Sequence, residues 1–367
     1  MLKKIYIDNF RCFVNFELRL LPLTLLMGLN GSGKSSVFDV LRRLRLFITG
    51  QAKVYELFFN PDLTKWQSRS DQTFNLEIEG NNGIYLYELI IEHNLDKRLK
   101  RVKKEKLSFD QKPLFDFQEG MAQLYRDDHS SGPQYPFDWS QSGIGSLHDR
   151  PDNSKITWFK NRVTKFIIAN IQPAQLTGES AREEKELSYS ASNFASWYRY
   201  LLQEYSERIF KLNLELGEIL TGFGSFRLAE AGEEYRSLQA AFSNSTESRS
   251  YWYKFSELSD GQKILIVLYT LLFAIKGLDY SLFIDEPENF LALPEIQPWL
   301  MALEDTAGQE IPQAVLISHH PELIDYLGAS SGVRLERETN GPVRIKDKTS
   351  VKETGLKLSE NIARGWD

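Results

Sequence analysis

An apolar run, Leu23–Met27, ends at Gly28 and passes through Gly28-Leu29-Asn30-Gly31-Ser32-Gly33-Lys34-Ser35 into an amphipathic stretch. Val37, Leu41, Leu44 and Ile48 recur there at helical spacing, so the order is strand, glycine loop, helix. The spacing is GxxxxGK[ST]. Its glycines let the backbone wrap closely around an anion and present successive N–H groups to it. Lys34 is placed to reach β/γ-phosphate oxygens, Ser35 to ligate Mg²⁺, and the helix to aim its positive end at the phosphates. Asn30, Gly31, Ser32, Gly33, Lys34, Ser35 and Ser36 are the expected nucleotide-binding residues.

Three further segments carry polar chemistry at the ends of apolar runs. Residues 281–288 read Ser-Leu-Phe-Ile-Asp285-Glu286-Pro-Glu288, a strand buried on both faces with carboxylates emerging at its C-terminal end. Asp285 is expected to hold Mg²⁺, through water or through Ser35. Glu286 is expected to orient or deprotonate the attacking water, because phosphoryl transfer needs mostly positioning and charge neutralisation. Residues 258–263, Leu-Ser259-Asp260-Gly261-Gln262-Lys, open an apolar helix. Ser259 reads as its N-cap, and such a helix start can bind an anion or be merely capped. Residues 315–321, Val-Leu-Ile-Ser-His319-His320-Pro, form another apolar strand with polar residues at its end. No cluster of His, Cys and acids falls at zinc-ligand spacing.

Around these motifs the chain organises coarsely. Residues 5–8 and 16–20 alternate as two strands, and residues 74–125 alternate as hairpins with turns at 81–83, 110–113 and 119–120. Residues 126–154, rich in Ser, Gly, Pro and Asp, read as a loop. Residues 192–220 read as helix from the recurrence of Trp197, Leu201, Tyr205, Ile209, Leu212, Leu216 and Ile219. From 255 onward come a helix at 262–276, a strand at 281–284, a helix around 296–305 and a strand at 314–317.

Composition narrows the class. At 367 residues with 42% apolar and 26% charged, the chain suits about two domains or one with a sizeable insertion. Fifty acids against 44 bases exclude a wholly electrostatic nucleic-acid binder while leaving room for a local basic patch. One cysteine, Cys12, cannot form an internal disulfide and suits a reducing compartment. The longest apolar runs fall short of a bilayer span, and the N-terminus has no secretory pattern, so a cytoplasmic protein without a membrane segment is expected.

The motif at 258–262 resembles the LSGGQ signature of ABC-type ATPases, with Asp260 replacing one glycine. The order glycine loop, signature, acidic strand and histidine is also that family's. The resemblance implies an α/β fold: a P-loop NTPase of ABC-ATPase head type with an antiparallel β arm and an inserted helical lobe. It implies ATP and Mg²⁺, with Ser259, Gly261 and Gln262 of one copy covering the γ-phosphate held by the other in a homodimer. It assigns His319 as the switch histidine beside the γ-phosphate and attacking water. With Glu286 and Lys34, His319 completes the expected catalytic set, and His320 is left as structural.

Within that superfamily the opening, with Asn9-Phe10-Arg11 closing the first strand, resembles RecF, SMC and OLD-type ATPases. The runs 192–204, 217–228 and 285–300 are similar to small AAA-domain proteins encoded beside phage-defence or abortive-infection partners. That likeness implies an ATPase switch controlling a toxin or nuclease effector encoded nearby. A RecF-like DNA-binding ATPase in repair or maintenance is the alternative. Only 48 residues follow His319 and none form Asp-x-Asp, so a TOPRIM nuclease is not expected. One domain over 1–367 is expected, with a P-loop lobe at 1–170, its β arm at about 50–165, a helical lobe at 171–255 and a closing lobe at 256–367.

Two readings stay open. Gln172, after a strand-like run at 166–171, suits either a Q-loop ligand sensing Mg²⁺ or a surface glutamine before Pro173. The basic run 97–106 suits either a phosphate backbone or a solvated edge hairpin whose lysines discourage edge pairing. Arg42, Arg43 and Arg45 are expected on a solvated or partner-facing side of the first helix.

Overall fold

Alternation of buried and exposed residues shapes the first 166 residues. The computed structural model describes residues 1–94, 99–243, 250–339, 341–346 and 357–364. Contacts divide the chain into two units, residues 1–166 with 324–367, and residues 167–323.

In the first unit, β1 (Leu2–Asp8) pairs antiparallel with β2 (Phe16–Arg19), and β3 (Leu23–Met27) leads into α1 (Lys34–Ile48) and a short α2 (Val54–Leu57). The following strands are β4 (Asp71–Gly80), β5 (Gly83–Asn94), β6 (Leu99–Phe109), β7 (Lys112–Gln118), β8 (Met121–Tyr125) and β9 (Ser131–Pro136). They extend β2-β1 into an eight-stranded antiparallel sheet, ordered β2-β1-β4-β5-β6-β7-β8-β9. Three connections are two-residue turns with both residues left-handed: Asn81–Asn82, Asp110–Gln111 and Glu119–Gly120. That geometry matches the twist of the flanking strands. One face buries Phe74, Leu76, Ile78, Tyr85, Tyr87, Leu89 and Ile91. The segment expected as a loop at 126–154 instead supplies β9, α3 (Gly143–Ser146) and the start of α4 (Ser154–Thr164). Trp158 and Phe159 of α4 stack on Tyr85 at 4.9 and 5.8 Å between ring centres.

Arg43 of α1 is structural, which corrects the expectation of a solvated face at that position, while Arg42 and Arg45 stay half-exposed. Arg43 is buried, donating to Leu57 O and Asp62 at 2.6 Å and pairing with Asp39 at 2.8 Å. Arg11 pairs with the same two aspartates, and Arg45 donates to Thr164 O. Arg42 pairs with Asp39.

The second unit begins at β10 (Phe166–Ala169) and β11 (Glu179–Ser180), followed by α5 (Phe194–Glu204) and α6 (Ser206–Ile219). Tyr205, at φ −138° and ψ 45°, separates two helices where one was expected. The expected helical lobe also carries a sheet: β12 (Phe223–Glu230), β13 (Arg236–Ser243) and β14 (Ser250–Lys254), with β11 and β14 both pairing β13. α7 (Asp260–Tyr269) continues as a π-helical turn at Thr270–Ala274, so its α-helical part ends earlier than the expected 276. Then come β15 (Ser281–Asp285), α8 (Leu293–Thr306) and β16 (Gln313–Ile317). β15 lies between β10 and β16, and β15 and β16 run parallel, every residue of both strands buried. Such fully buried strands with apolar centres are what a parallel sheet covered on both faces requires.

The chain returns through α9 (Pro321–Ser331) to β17 (Gly332–Arg337), parallel to β3, then β18 (Val343–Lys346) and α10 (Leu358–Arg364). Among the described residues no helix is long and apolar enough to cross a membrane.

Candidate functional site

The glycine loop joins β3 to α1, and its backbone demands glycine. Gly28 sits at φ +146°, and a Cβ there would lie 2.2 Å from Leu335 O. Gly33, at φ +90°, precedes α1, and a Cβ there would lie 2.8 Å from Cys12 Sγ. Helix α1 starts without a side-chain cap and with no acid in its first turn, which leaves its positive end to an anion. Lys34 is buried, with Nζ donating to Gly28 O at 2.7 Å and Leu29 O at 3.1 Å. The ammonium is thereby held over the loop. Ser32 is buried too, and its Oγ has no hydrogen-bond partner, an acceptor and donor waiting inside the cradle. Asn30, Gly31 and Ser35 are exposed, while Ser36 is half-buried. A cradle that any Cβ would fill, an uncapped helix start and an orphaned hydroxyl together fit a phosphate chain.

In the second unit the parallel register sets Asp285 opposite Ile317, so the residues that follow both strands emerge side by side. Asp285 is buried at the end of β15. Glu286 adopts φ +53°, a left-handed conformation that costs a residue with a side chain about 1–3 kcal/mol. Its N–H donates to Ile317 O at 2.9 Å, which fixes the turn. Its carboxylate then meets His319, Oε1 to Nδ1 at 2.8 Å, and accepts from Asn289 Nδ2 at 2.7 Å on the other oxygen. A carboxylate only accepts, so Nδ1 carries the proton that bridges the pair. His319 is 48% exposed and Glu286 30%, so the pair is reachable from solvent.

Glu288 and Ser318 lie beneath that pair. Both are buried, and the Ser318 hydroxyl donates to Glu288 Oε1 while accepting the His320 N–H at 3.0 Å. Burial pushes the Glu288 carboxyl above its ordinary value, the Ser318 hydrogen bond works against that, and the nearby Glu286 charge adds to it. Asn289, Glu288 and Ser318 were not singled out by the motifs. The signal was present in the second glutamate of Asp-Glu-Pro-Glu and in the serine preceding His319.

At the signature, Ser259 Oγ accepts the Gln262 N–H at 3.2 Å, and Gln262 Oε1 accepts the Ser259 N–H at 3.0 Å. This is a reciprocal capping box, so both side chains serve the start of α7. Gly261 faces Phe290 O, 3.2 Å from where a Cβ would be. Asp260 pairs with Lys263 at 3.6 Å. Ser259, Gly261 and Gln262 line a cleft of about 590 Å³ with Phe290, Pro294 and Glu295. Gln172 follows β10, and its side-chain amide donates to Asn170 Oδ1.

Within the basic run, Arg101 pairs with Glu92, Lys103 with Asp71 and Lys104 with Glu88. Lys100 lies over the Phe59 ring. Arg101 and Lys104 of β6 pair across to β5, and Lys103 reaches over β5 to Asp71 of β4, so these charges are paired along the sheet surface as in a solvated ladder. Lys97 and Arg98 lie outside the described residues.

Residues 1–105 match the AAA ATPase domain family. Two solved structures share the fold. One is an Smc head bound to the C-winged-helix domain of ScpA, with a TM-score of 0.59 and 11% identity, covering 98% of this chain and 99% of that one. The other is the Pyrococcus furiosus Smc head with an extended coiled coil, bound to the C-terminal domain of ScpA. Its TM-score is 0.58 at 11% identity, covering 99% and 98%. No curated protein matches the chain. The fold is that of an SMC-head, ABC-type P-loop ATPase domain, with an antiparallel β arm and an inserted helical lobe.

Proposed function

We propose that the chain binds and hydrolyses ATP, and that two copies closing around two ATP molecules act as a switch. The observation that carries the reading is the Glu286–His319 pair at the ends of adjoining parallel strands. It occurs in a chain whose glycine loop holds a buried lysine over an uncapped helix start. The loop amides and Lys34 would bind the triphosphate, with Asn30 through Ser36 as its walls. Mg²⁺ favours hard oxygen donors, and the Ser35 hydroxyl, Asp285 carboxylate and Gln172 amide oxygen all fit that preference. When bound, the ion would neutralise charge developing on the phosphates. Glu286 would orient the attacking water and take its proton as the γ-phosphorus–oxygen bond to ADP breaks. His319, oriented by Glu286, would contact the γ-phosphate through Nε2.

Ser259, Gly261 and Gln262 of one copy would cover the γ-phosphate bound by the other, reaching it from the α7 start. Closing and reopening of the pair would license or restrain a protein effector, a toxin or nuclease, in the cytoplasm during phage infection. Support for a protein partner is the resemblance to small AAA-domain defence ATPases, together with the ScpA domains bound to the two Smc heads of like fold.

The test is ATP turnover by the purified protein, with and without short duplex DNA, at low and moderate salt. Glu286→Gln should lower turnover at least about a hundredfold, and duplex DNA should leave the wild-type rate unchanged. Equal turnover in wild type and mutant overturns the reading. Stimulation by DNA that fades with salt replaces the effector switch with a DNA-sensing ATPase.

A further inference from the structure

Glu286 and His319 form a pair, and the Glu286 N–H ties Ile317 O at the end of β16, but the 318–320 turn from which His319 projects is held by other residues. After β16 the chain leaves the sheet at Ser318, which is fully buried, and His319 turns outward to Glu286. Ser318 is tied in two directions. Its hydroxyl donates to Glu288 Oε1 and accepts the N–H of His320, so one side chain pins the backbone on the far side of His319. Glu288, in turn, is anchored by the Leu291 N–H on its own carbonyl and is buried at 6% exposure. Its second oxygen, Oε2, is buried without a hydrogen-bond partner. An ionised carboxylate with a bare, buried oxygen is costly. That environment suits a group that supports neighbours better than one that takes a proton from water.

We propose that Glu288 is a positioning residue for the hydrolytic reaction, acting through Ser318 to hold the 318–320 turn so that His319 Nδ1 stays on Glu286. The proposal rests on the ATPase reading above and adds to it a residue that touches neither the nucleotide nor the water. Misplacing a reacting group by about 1 Å costs on the order of a hundredfold, so the effect is expected in kcat. Binding of ATP at the glycine loop should be spared.

Glu288→Ala and Ser318→Ala should each lower kcat about ten- to a hundredfold with KM for ATP changed less than about twofold. The double variant should lose no more than the worse single one, because both break the same chain of contacts. Glu288→Gln keeps the shape and an oxygen that accepts the Ser318 hydroxyl, and should recover most of the rate. A Glu288→Gln variant as slow as Glu288→Ala overturns the proposal, since that result demands carboxylate chemistry. So does an unaltered kcat in both alanine variants. Ser318→Ala serves if Glu288→Ala fails to fold.

A second readout does not depend on turnover. Ring-nitrogen NMR of histidine-labelled protein, with His319 assigned by its substitution, should show its Nδ1 signal displaced in Glu288→Ala and Ser318→Ala and unmoved in Glu288→Gln. If the wild type hydrolyses no ATP, the ATPase reading fails while this signal still decides the positioning role. An unchanged His319 signal in both alanine variants overturns it.

Discussion

Glu105 lies in the middle of β6 with no exposed surface. Tyr87 OH at 3.0 Å, Ser142 OH at 2.6 Å and the Gly143 N–H at 2.7 Å all donate to its carboxyl. The last two belong to the start of α3, so this one side chain fastens α3 to the sheet. Helix α3 in turn abuts the end of α1, the helix that begins at the phosphate loop. A Cβ on Gly50 would come within 3.1 Å of Gly145 O. Two effects compete at the carboxyl. Burial raises it, the donors lower it, and burial wins, leaving it at about 7 against an ordinary 4.5. Each tenfold change in proton affinity is worth about 1.4 kcal/mol, so ionising Glu105 in the folded protein costs about 3 kcal/mol. The sign follows from proton counting. Between pH 4.5 and 7 the folded state binds the proton more tightly than the unfolded chain, so this group's contribution to stability declines as pH rises through that window. Glu105→Gln keeps the size and an accepting oxygen but has no proton to lose. The stability of the glutamine variant relative to wild type should therefore grow by about 2–3 kcal/mol between pH 5 and pH 8. Paired denaturant unfolding curves at the two pH values measure that difference, and contributions of other titrating groups cancel. The same difference at both values would show that the three donors fully offset burial. A glutamine variant that loses ground at pH 8 would show that the ionised form is the stabilising one.

Two other perturbations test the fold and the site. Asp260 places an acid at a helix start that is proposed to face a γ-phosphate, and pairs with Lys263 at 3.6 Å. Asp260→Gly should strengthen ATP-dependent self-association by about three- to tenfold, as removal of one repelling charge near a helix N-terminus predicts. Sedimentation with a non-hydrolysable ATP analogue measures it, and weaker association in the variant counts against signature-to-phosphate closure. Arg43→Ala removes the buried member of the cluster and leaves Asp39 and Asp62 to the more exposed Arg11, a loss of about 1.5–3 kcal/mol. Thermal unfolding reads it, and a melting temperature unmoved from wild type would place the ion cluster outside the stabilising core.

What the sequence reveals depends on whether residue type alone dictates geometry. The glycine loop is legible because φ near +90° at Gly33 and backbone approach at Gly28 exclude every side chain. The turn at Asn81–Asn82 is fully legible because asparagine accepts left-handed backbone at low cost, whereas Gln111 and Glu119 adopt it beside Asp110 and Gly120 without such a residue preference. The break at Tyr205 is not legible, because the apolar recurrence runs through it without glycine or proline. The π-turn after Tyr269 is hidden for the same reason, inside an unbroken apolar run. Strand β9 carries the sequence of a loop, Ser-Gly-Pro-Gln-Tyr-Pro, and is a strand because β8 offers it an edge.

The candidate site divides along the same line. Asp285, Glu286 and His319 are legible because each ends an apolar strand, where a parallel sheet delivers its chemistry. The hydrogen bonds that hold them depend on something no local pattern records, the register of β15 against β16, 32 residues apart at Ser281 and Gln313. Slide that pairing by one residue and Ser318 no longer reaches Glu288, nor Glu286 the Ile317 carbonyl. The left-handed backbone at Glu286 is unfavourable in isolation, so it must be maintained by bonds from β16 and its following turn. The acid and the histidine are therefore set by one structural element, and a change that loosens the turn at 318–320 should disturb both residues together.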